Sequence, residues 1–301
     1  MKKRCLFQRK KTHYFEGWYI KNTAPEHTFT LIPGYSITEE KKEAFLQIIL
    51  DDTSYFISYP SSMLKRKKDE FFVKLAGNLF TKRGFRLCIH TDELQIDGIV
   101  RFGKLNTLDY SIMGPLQAIP FLQCKHKVIS MDHALYGSVT INGKTLEFGN
   151  GRGYIEGDEG SSFPELYTWS QCNQFKRPFT SVMVAVATMP VLERMFEGSI
   201  AAIIYKGKEY RFATYLGAKV QTFTRKKIVL TQNDMVLTAT LKKSNPVHLD
   251  APLNDAMIRS IEEHARCTVH YEFSVAGHLL INEECSSASF ESSFYTKVVC
   301  N

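Results

Sequence analysis

Short runs that alternate apolar and polar residues, rich in β-branched and aromatic side chains, recur along the chain and are broken by Gly, Asn, Asp and Lys. That period of two predicts strands rather than helices. HYFEGWYIKN (13–22), HTFTLIPGYSI (27–37), AFLQIIL (44–50), SVMVAVA (181–187), SIAAIIYKG (199–207), TVHYEFSV (268–275) and HLLINEE (278–284) are examples. VTINGKTLEF (139–148) reads as a hairpin, because Asn142-Gly143 suits a type I′ turn between alternating flanks. IIYKGKEYRF (203–212), turning at Gly207, reads as a second. A single segment departs from this texture. Over 252–266, Leu253, Met257, Ile258, Ile261 and Ala265 recur at helical spacing, with Asp250 placed to cap and Pro252 in the first turn. The pattern predicts one C-terminal helix lying against a sheet.

Two stretches echo each other: FISYPSSM (56–63) with FATYLGAK (212–219), and INGKTLEFGNGRGYIE (141–156) with VAGHLLINEECSSASFE (275–291). The echo fits two similar β units in tandem, with an N-terminal unit over 1–160, a C-terminal unit over 161–301, and a joint near 160–175. At 301 residues the chain has room for both.

Charge changes this picture little. The net charge of +7 comes with short basic runs such as KRKK (65–68) and RKK (225–227). Solvated loops explain them best and attraction to an anionic membrane surface second. No nucleic-acid motif accompanies them, so nucleic acid is not an expected partner. Seven cysteines are scattered without a CxxC, which reads as reduced thiols in a cytoplasmic protein. The basic start lacks a following apolar stretch, so no signal peptide is expected. The most apolar run, SVMVAVATMPVL, is too short to span a bilayer. Neither GxSxG nor a strand-to-helix GxGxxG occurs, so a serine triad and a dinucleotide site are not expected.

Four segments carry a family resemblance: YFEGWYIK (14–21), LAGNLF (75–80), QCKHKVISMDHALYGSVTINGK (123–144) and GRGYIEGDEGSSFPELYTWSQCNQF (151–175). In this order they resemble the tocopherol cyclase family and its bacterial relatives. The resemblance implies a mainly β fold of two lipocalin-like antiparallel barrels or half-barrels. It also implies a hydrophobic small-molecule ligand, prenylquinol-like or isoprenoid, handled without a cofactor by acid-catalysed cyclisation, hydration or isomerisation. Where the family pattern reads EKDWG, this chain has Glu156-Gly157-Asp158-Glu159-Gly160. A basic partner and an aromatic wall are thus expected to be missing at the mouth of the site.

Ring closure onto an alkene needs an acid kept protonated by apolar surroundings, an aromatic face over the cation, and a pocket that folds the chain. Asp158, beside Glu156 and Glu159, is the first candidate acid, though a turn-forming Asp between glycines is its plainer role. Glu16 is the second, divided evenly between a structural strand-end acid and a functional one. Trp18, Tyr19, Tyr154 and Trp169 are the aromatic candidates. Trp18 and Tyr19 point to opposite faces of one strand, so at most one of them faces a given pocket. Gln171 and Asn173 alternate on one face and suit either a ligand oxygen or buried backbone. His126 and His133 with Cys124 invite a metal, but no other close Cys/His pair completes four ligands, so none is expected and His126 is a hydrogen-bonded or proton-shuttling residue. A carrier that binds such a ligand without chemistry is the alternative reading, and the oligomeric state is left open.

Overall fold

The computed structural model describes residues 13–68, 70–120, 122–191, 194–253 and 256–294, without the side chains of 191, 250–253 and 256–260. The first half of the chain forms β1 (Tyr14–Thr23), β2 (Thr28–Ile37), β3 (Lys42–Leu50), β4 (Thr53–Pro60), β5 (Leu64–Arg66) and β6 (Phe72–Leu75). It continues with β7 (Asn78–Thr81), β8 (Gly84–His90), β9 (Gln95–Phe102), β10 (Cys124–Ile141), β11 (Lys144–Glu147) and β12 (Arg152–Gly160). The second half forms β13 (Leu166–Cys172), β14 (Ser181–Val191), β15 (Arg194–Tyr205), β16 (Lys208–Ala213) and β17 (Lys219–Thr224). Then follow β18 (Lys227–Gln232), β19 (Met235–Ser244), β20 (Val247–Leu253), β21 (Ala256–Val275) and β22 (His278–Phe294).

Every strand pairing is antiparallel, and the strands sort into two sheets in chain order. The first runs β4-β3-β2-β1-β12-β10-β9-β8-β7-β6-β5, with β11 on β10. The second runs β16-β15-β14-β13-β22-β21-β19-β18-β17, with β20 on β21. Neither hydrogen-bonded ladder closes among the described residues. Each sheet nevertheless wraps a core of its own. Ile48 on β3 and Phe80 on β7, far apart in the strand order, share the first core with Trp18, Ile20 and Phe29. Val184, Phe212, Leu230 and Tyr271 share the second.

The outer faces of the two sheets pack on each other, and a third cluster fills that contact: Tyr19, Met131 and Tyr154 from the first sheet, Trp169, Met183 and Ala202 from the second. Period two makes both layers possible. On β1, Trp18 and Ile20 point into the first core while Tyr19 points to the contact.

Both expected hairpins form. Asn142 and Gly143 have φ of 47° and 83°, Lys206 and Gly207 54° and 79°, the left-handed pair a type I′ turn requires. The expected C-terminal helix does not form: residues 256–275 are strand β21, paired with β19, β20 and β22. Ile261, Glu263, Ala265, Cys267, Val269, Tyr271 and Phe273 are all buried, a period of two that overrides the helical spacing upstream. Pairing on both sides satisfies that backbone more completely than an isolated helix would.

Close ladder contact is strictest at Gly160, where a Cβ would lie 2.0 Å from the carbonyl oxygen of Gln123. Gly160→Ala is expected to cost about 2 kcal/mol by prising β10 from β12, measured as a lower denaturant midpoint with an unchanged slope.

A candidate acid site between the sheets

The site is built from strands that reach the intersheet contact from both sides. β12 alternates Tyr154, Glu156 and Asp158 toward it and Ile155 and Gly157 away from it. β10 lies antiparallel with His126 opposite Asp158 and Val128 opposite Glu156. The register therefore slots the His126 ring between two carboxylates. Its Nδ1 lies 2.9 Å from Asp158 Oδ1 and its Nε2 3.2 Å from Glu156 Oε2. The Nε2 contact is off the line of a good hydrogen bond, so the Glu156 link is chiefly electrostatic.

Glu156 is the deepest member. Tyr154 donates its hydroxyl to Oε2, and Trp169 Nε1 donates to the same oxygen at 3.2 Å from the second sheet. Burial pushes the Glu156 carboxyl above the usual carboxylate range against the pull of His126. Burial alone would keep His126 neutral, but the two carboxylates reverse this and hold it well above the usual imidazole range. Side-chain exposure rises from 6% at Glu156 to 12% at His126 and 23% at Asp158. Asp158 is thus the end that opens outward.

It opens into a cavity of ≈ 180 Å³. Ile32, Met113, Phe163, Met189, Ile200 and Ile261 supply apolar wall, while Tyr19, Cys124, His126, Glu156, Asp158, Trp169 and Glu291 supply polar groups. An apolar cavity of about 150 Å³ takes up benzene, so this one accommodates a substituted ring. Phe163 and Pro164, on the link between the sheets, close one side. On the far wall Glu291 receives the Tyr167 hydroxyl, and behind it Glu263 accepts from Tyr19 at 2.8 Å.

Of the residues singled out in the sequence, Asp158, His126, Tyr19 and Trp169 line the cavity, and Tyr154 supports Glu156 from behind. Glu16 and Trp18 do not, because they occupy the opposite face of β1. Glu16 joins Tyr14, Tyr35 and Arg66, with Arg66 Nη1 3.2 Å away, and Trp18 packs in the first core. Gln171 and Asn173 do not reach the cavity either. Gln171 Oε1 accepts from the buried Lys21 at 3.4 Å, and Asn173 Nδ2 donates to Gly153 O at 2.9 Å, so both tie the sheets together.

The expected gap at the site mouth is also absent. Gly157 and Glu159 point away from the cavity: a Cβ at 157 would lie 3.1 Å from Trp18 Cδ1, and Glu159 accepts from Tyr14 at 3.0 Å. Nothing in the sequence pattern singles out Glu291 or Glu263, and Glu156 enters it only as a neighbour of Asp158. For Glu156 a signal was present, its period-two partnership with Asp158. His133 is separate from this site. It is buried beside Phe102, bonded to Ser130 at 3.0 Å, and burial pushes it down to about 3.

Among the described residues, two sets of side chains have donors close enough for a metal ion: His126, Glu156 and Asp158, and the exposed Cys88, His90 and Asp97 on β8 and β9. In the first, a cation would have to displace the proton from an imidazole nitrogen already engaged by a carboxylate. That arrangement suits proton transfer better.

The fold and site define an all-β protein of two packed sheets with a buried carboxylate–imidazole–carboxylate array at their contact. The chain belongs to the tocopherol cyclase-like family, whose model matches residues 76–292. It is 27% identical over 122 residues to the chloroplastic tocopherol cyclase of Zea mays, a match covering 38% of this chain and 25% of that one. The chain thus spans about a quarter of the length of the curated relatives it matches. Among solved structures it resembles CghA with Sch210972, with a TM-score of 0.53 and 10% identity, over 93% of this chain and 88% of that one. It likewise resembles kievitone hydratase from Nectria haematococca, with a TM-score of 0.54 and 9% identity, over 94% and 89%. These structural likenesses are likenesses of fold. Among the described residues no helix is long and apolar enough to cross a membrane.

Proposed function

We propose that the protein is an acid catalyst that needs no cofactor and cyclises, hydrates or isomerises a hydrophobic ring-bearing or prenylated molecule. The observation that carries this reading is the Glu156–His126–Asp158 array opening at Asp158 onto an otherwise largely apolar cavity. The family's name and the hydratase among the structural neighbours support the same class of chemistry.

In this reading His126 hands its proton to Asp158, which meets the ligand and delivers it to the alkene, and Glu156 holds the imidazole from behind; water then returns a proton to His126. Proton addition to a trisubstituted alkene leaves a tertiary cation, which the nearby faces of Trp169 and Tyr19 cover; their rings lie 5.4 Å apart. Cyclisation follows when a ring hydroxyl attacks, hydration when water does, and isomerisation when a neighbouring proton leaves.

The test is incubation of a prenylated hydroquinone with the protein in deuterated water. One deuteron is expected at the protonated carbon of the product. Asp158→Asn is expected to lower turnover about a hundredfold while ligand binding stays unchanged. Tight binding with no turnover and no deuterium by the wild type would instead identify a carrier.

A further inference from the structure

We infer that Glu291, backed by Glu263, is a second proton-handling group of the same cavity, set on the wall opposite Asp158 and acting as the proton acceptor. This rests on the proposed acid chemistry for the substrate, but its structural grounds are separate.

Glu263 on β21 and Glu291 on β22 are direct cross-strand partners, so their side chains leave the second sheet on one face and side by side. Glu263 has no solvent exposure, and Glu291 lines the cavity. Each carboxyl takes one tyrosine hydroxyl, Glu263 from Tyr19 and Glu291 from Tyr167. The other oxygen of Glu263, Oε2, is buried and receives no N–H or O–H donor from the protein.

The charged and titratable groups around the pair are mostly acidic. Glu156 and Asp158 face Glu291 across the cavity, and the Cys267 thiol lies near Glu263. Among the described residues, His126 stands across the cavity held between Glu156 and Asp158, and Lys21 of β1 spends its hydrogen bonds on Ser287 O at 2.8 Å and Gln171 rather than on either carboxylate. Two adjacent carboxylates, one fully buried and the other facing a largely apolar cavity, disfavour ionising together. A proton held between them satisfies Glu263 Oε2 and leaves the pair with a single negative charge. Burial and the neighbouring carboxylate push Glu263 well above the usual carboxylate range, and burial raises Glu291 too.

Burial keeps the proton affinity of the Glu291 carboxylate above that of a solvated one, while the proton shared with Glu263 pulls it partly back. Cyclisation needs such an acceptor. Asp158 gives a proton to one alkene carbon, forming a C–H bond, and the ring oxygen attacks the resulting cation, forming a C–O bond. The hydroxyl proton then passes to the Glu291 carboxylate, and water at the cavity returns it to the relay. One proton enters, one leaves, and no electrons are exchanged with any partner. Trp169 stands between the two walls, as the cross-strand partner of Glu291 and the donor to Glu156. Glu263 does not line the cavity and is a positioning residue: its shared proton, donated toward Glu291, keeps the Glu291 carboxylate ionised and ready to accept.

The experiment combines two readouts. Infrared spectra of the ligand-free protein at neutral pH report the carbonyl stretch of protonated carboxyls. The pH dependence of kcat for a prenylated hydroquinone reports the acceptor. Glu263→Gln and Glu291→Gln are each expected to remove one protonated-carboxyl band. Glu291→Gln lowers kcat about a hundredfold. Glu263→Gln, which removes the carboxylic O–H donor to Glu291, shifts the ascending limb of the kcat profile up by about one pH unit, leaving the descending limb and KM in place. If either glutamine variant fails to fold, Tyr167→Phe serves instead: it removes only the hydroxyl that stabilises ionised Glu291, and moves the ascending limb upward.

Bands and limb unmoved by all these changes, with turnover intact, would overturn the acceptor and leave the Asp158 relay standing. Bands lost in the variants of a wild type that turns nothing over would support the shared proton and defeat the proposed reaction.

Discussion

Replacing His126 with alanine is expected to lower the stability of the fold by about 3–5 kcal/mol. The ring sits between Glu156 and Asp158 with one nitrogen toward each. Without it, two carboxylates on neighbouring turns of the β12 pleat face a buried space with no opposing charge. One must then be protonated or hydrated, at the cost of the native packing.

The pH dependence has a definite sign. His126 is raised well above its ordinary 6.5, so the stability its charge brings is fully present below that value. It is lost as pH rises through the higher folded value, and the gap between wild type and His126→Ala narrows there. Denaturant midpoints across the neutral and alkaline range measure this. In a double-mutant cycle, Glu156→Gln costs less in the alanine background than in the wild type, because the uncompensated carboxylate is then gone. A cost below 1 kcal/mol for His126→Ala would show the array to be hydrated rather than paired.

Acidification is expected to produce a loss of similar size from a different histidine. His133 packs on Phe102 with ring centres 4.4 Å apart, and its ring leaves no room for a Cβ at Gly153, 2.2 Å from Nε2. Burial pushes it down to about 3 from the usual 6.5. Here the folded value is depressed, so the neutral form favours the fold above 6.5. As pH falls from 6.5 toward 3, the unfolded chain takes up a proton that the folded chain refuses. Over the whole interval this approaches a ceiling of about 5 kcal/mol. His133→Gln, which does not titrate, is expected to flatten the acid limb of a stability-against-pH curve relative to wild type. A proton-resonance titration should find the His133 ring neutral down to about pH 4. Identical slopes for the two proteins would refute the assignment.

Much of the architecture was legible because alternation and turn chemistry are local. The Asn142-Gly143 and Lys206-Gly207 turns follow from dihedral preference alone. The misread stretch, 252–266, had an upstream spacing that matched a helix, while the decisive evidence lay downstream. There, alternate residues from Ile261 to Phe273 are buried by strands β19 and β22, contributed from elsewhere in the chain.

The site divides the same way. Glu156 and Asp158 are two residues apart, so their shared face is a property of any strand through them. His126 joins them only through the β10–β12 register, which no local pattern reveals. Pairing Glu263 with Glu291 requires knowing that β21 is a strand at all. The choice between Trp18 and Tyr19 was open in the sequence because it depends on which face of β1 meets the second sheet.

Each wall of the cavity borrows one hydrogen bond from the other sheet. Trp169 of the second sheet donates to Glu156, and Tyr19 of the first donates to Glu263. The two links cross the gap in opposite directions, like opposed jaws of a caliper. A guest thin enough to slide between them leaves both in place. A guest thick enough to part the sheets breaks both, and removes a donor from each acidic group in one movement.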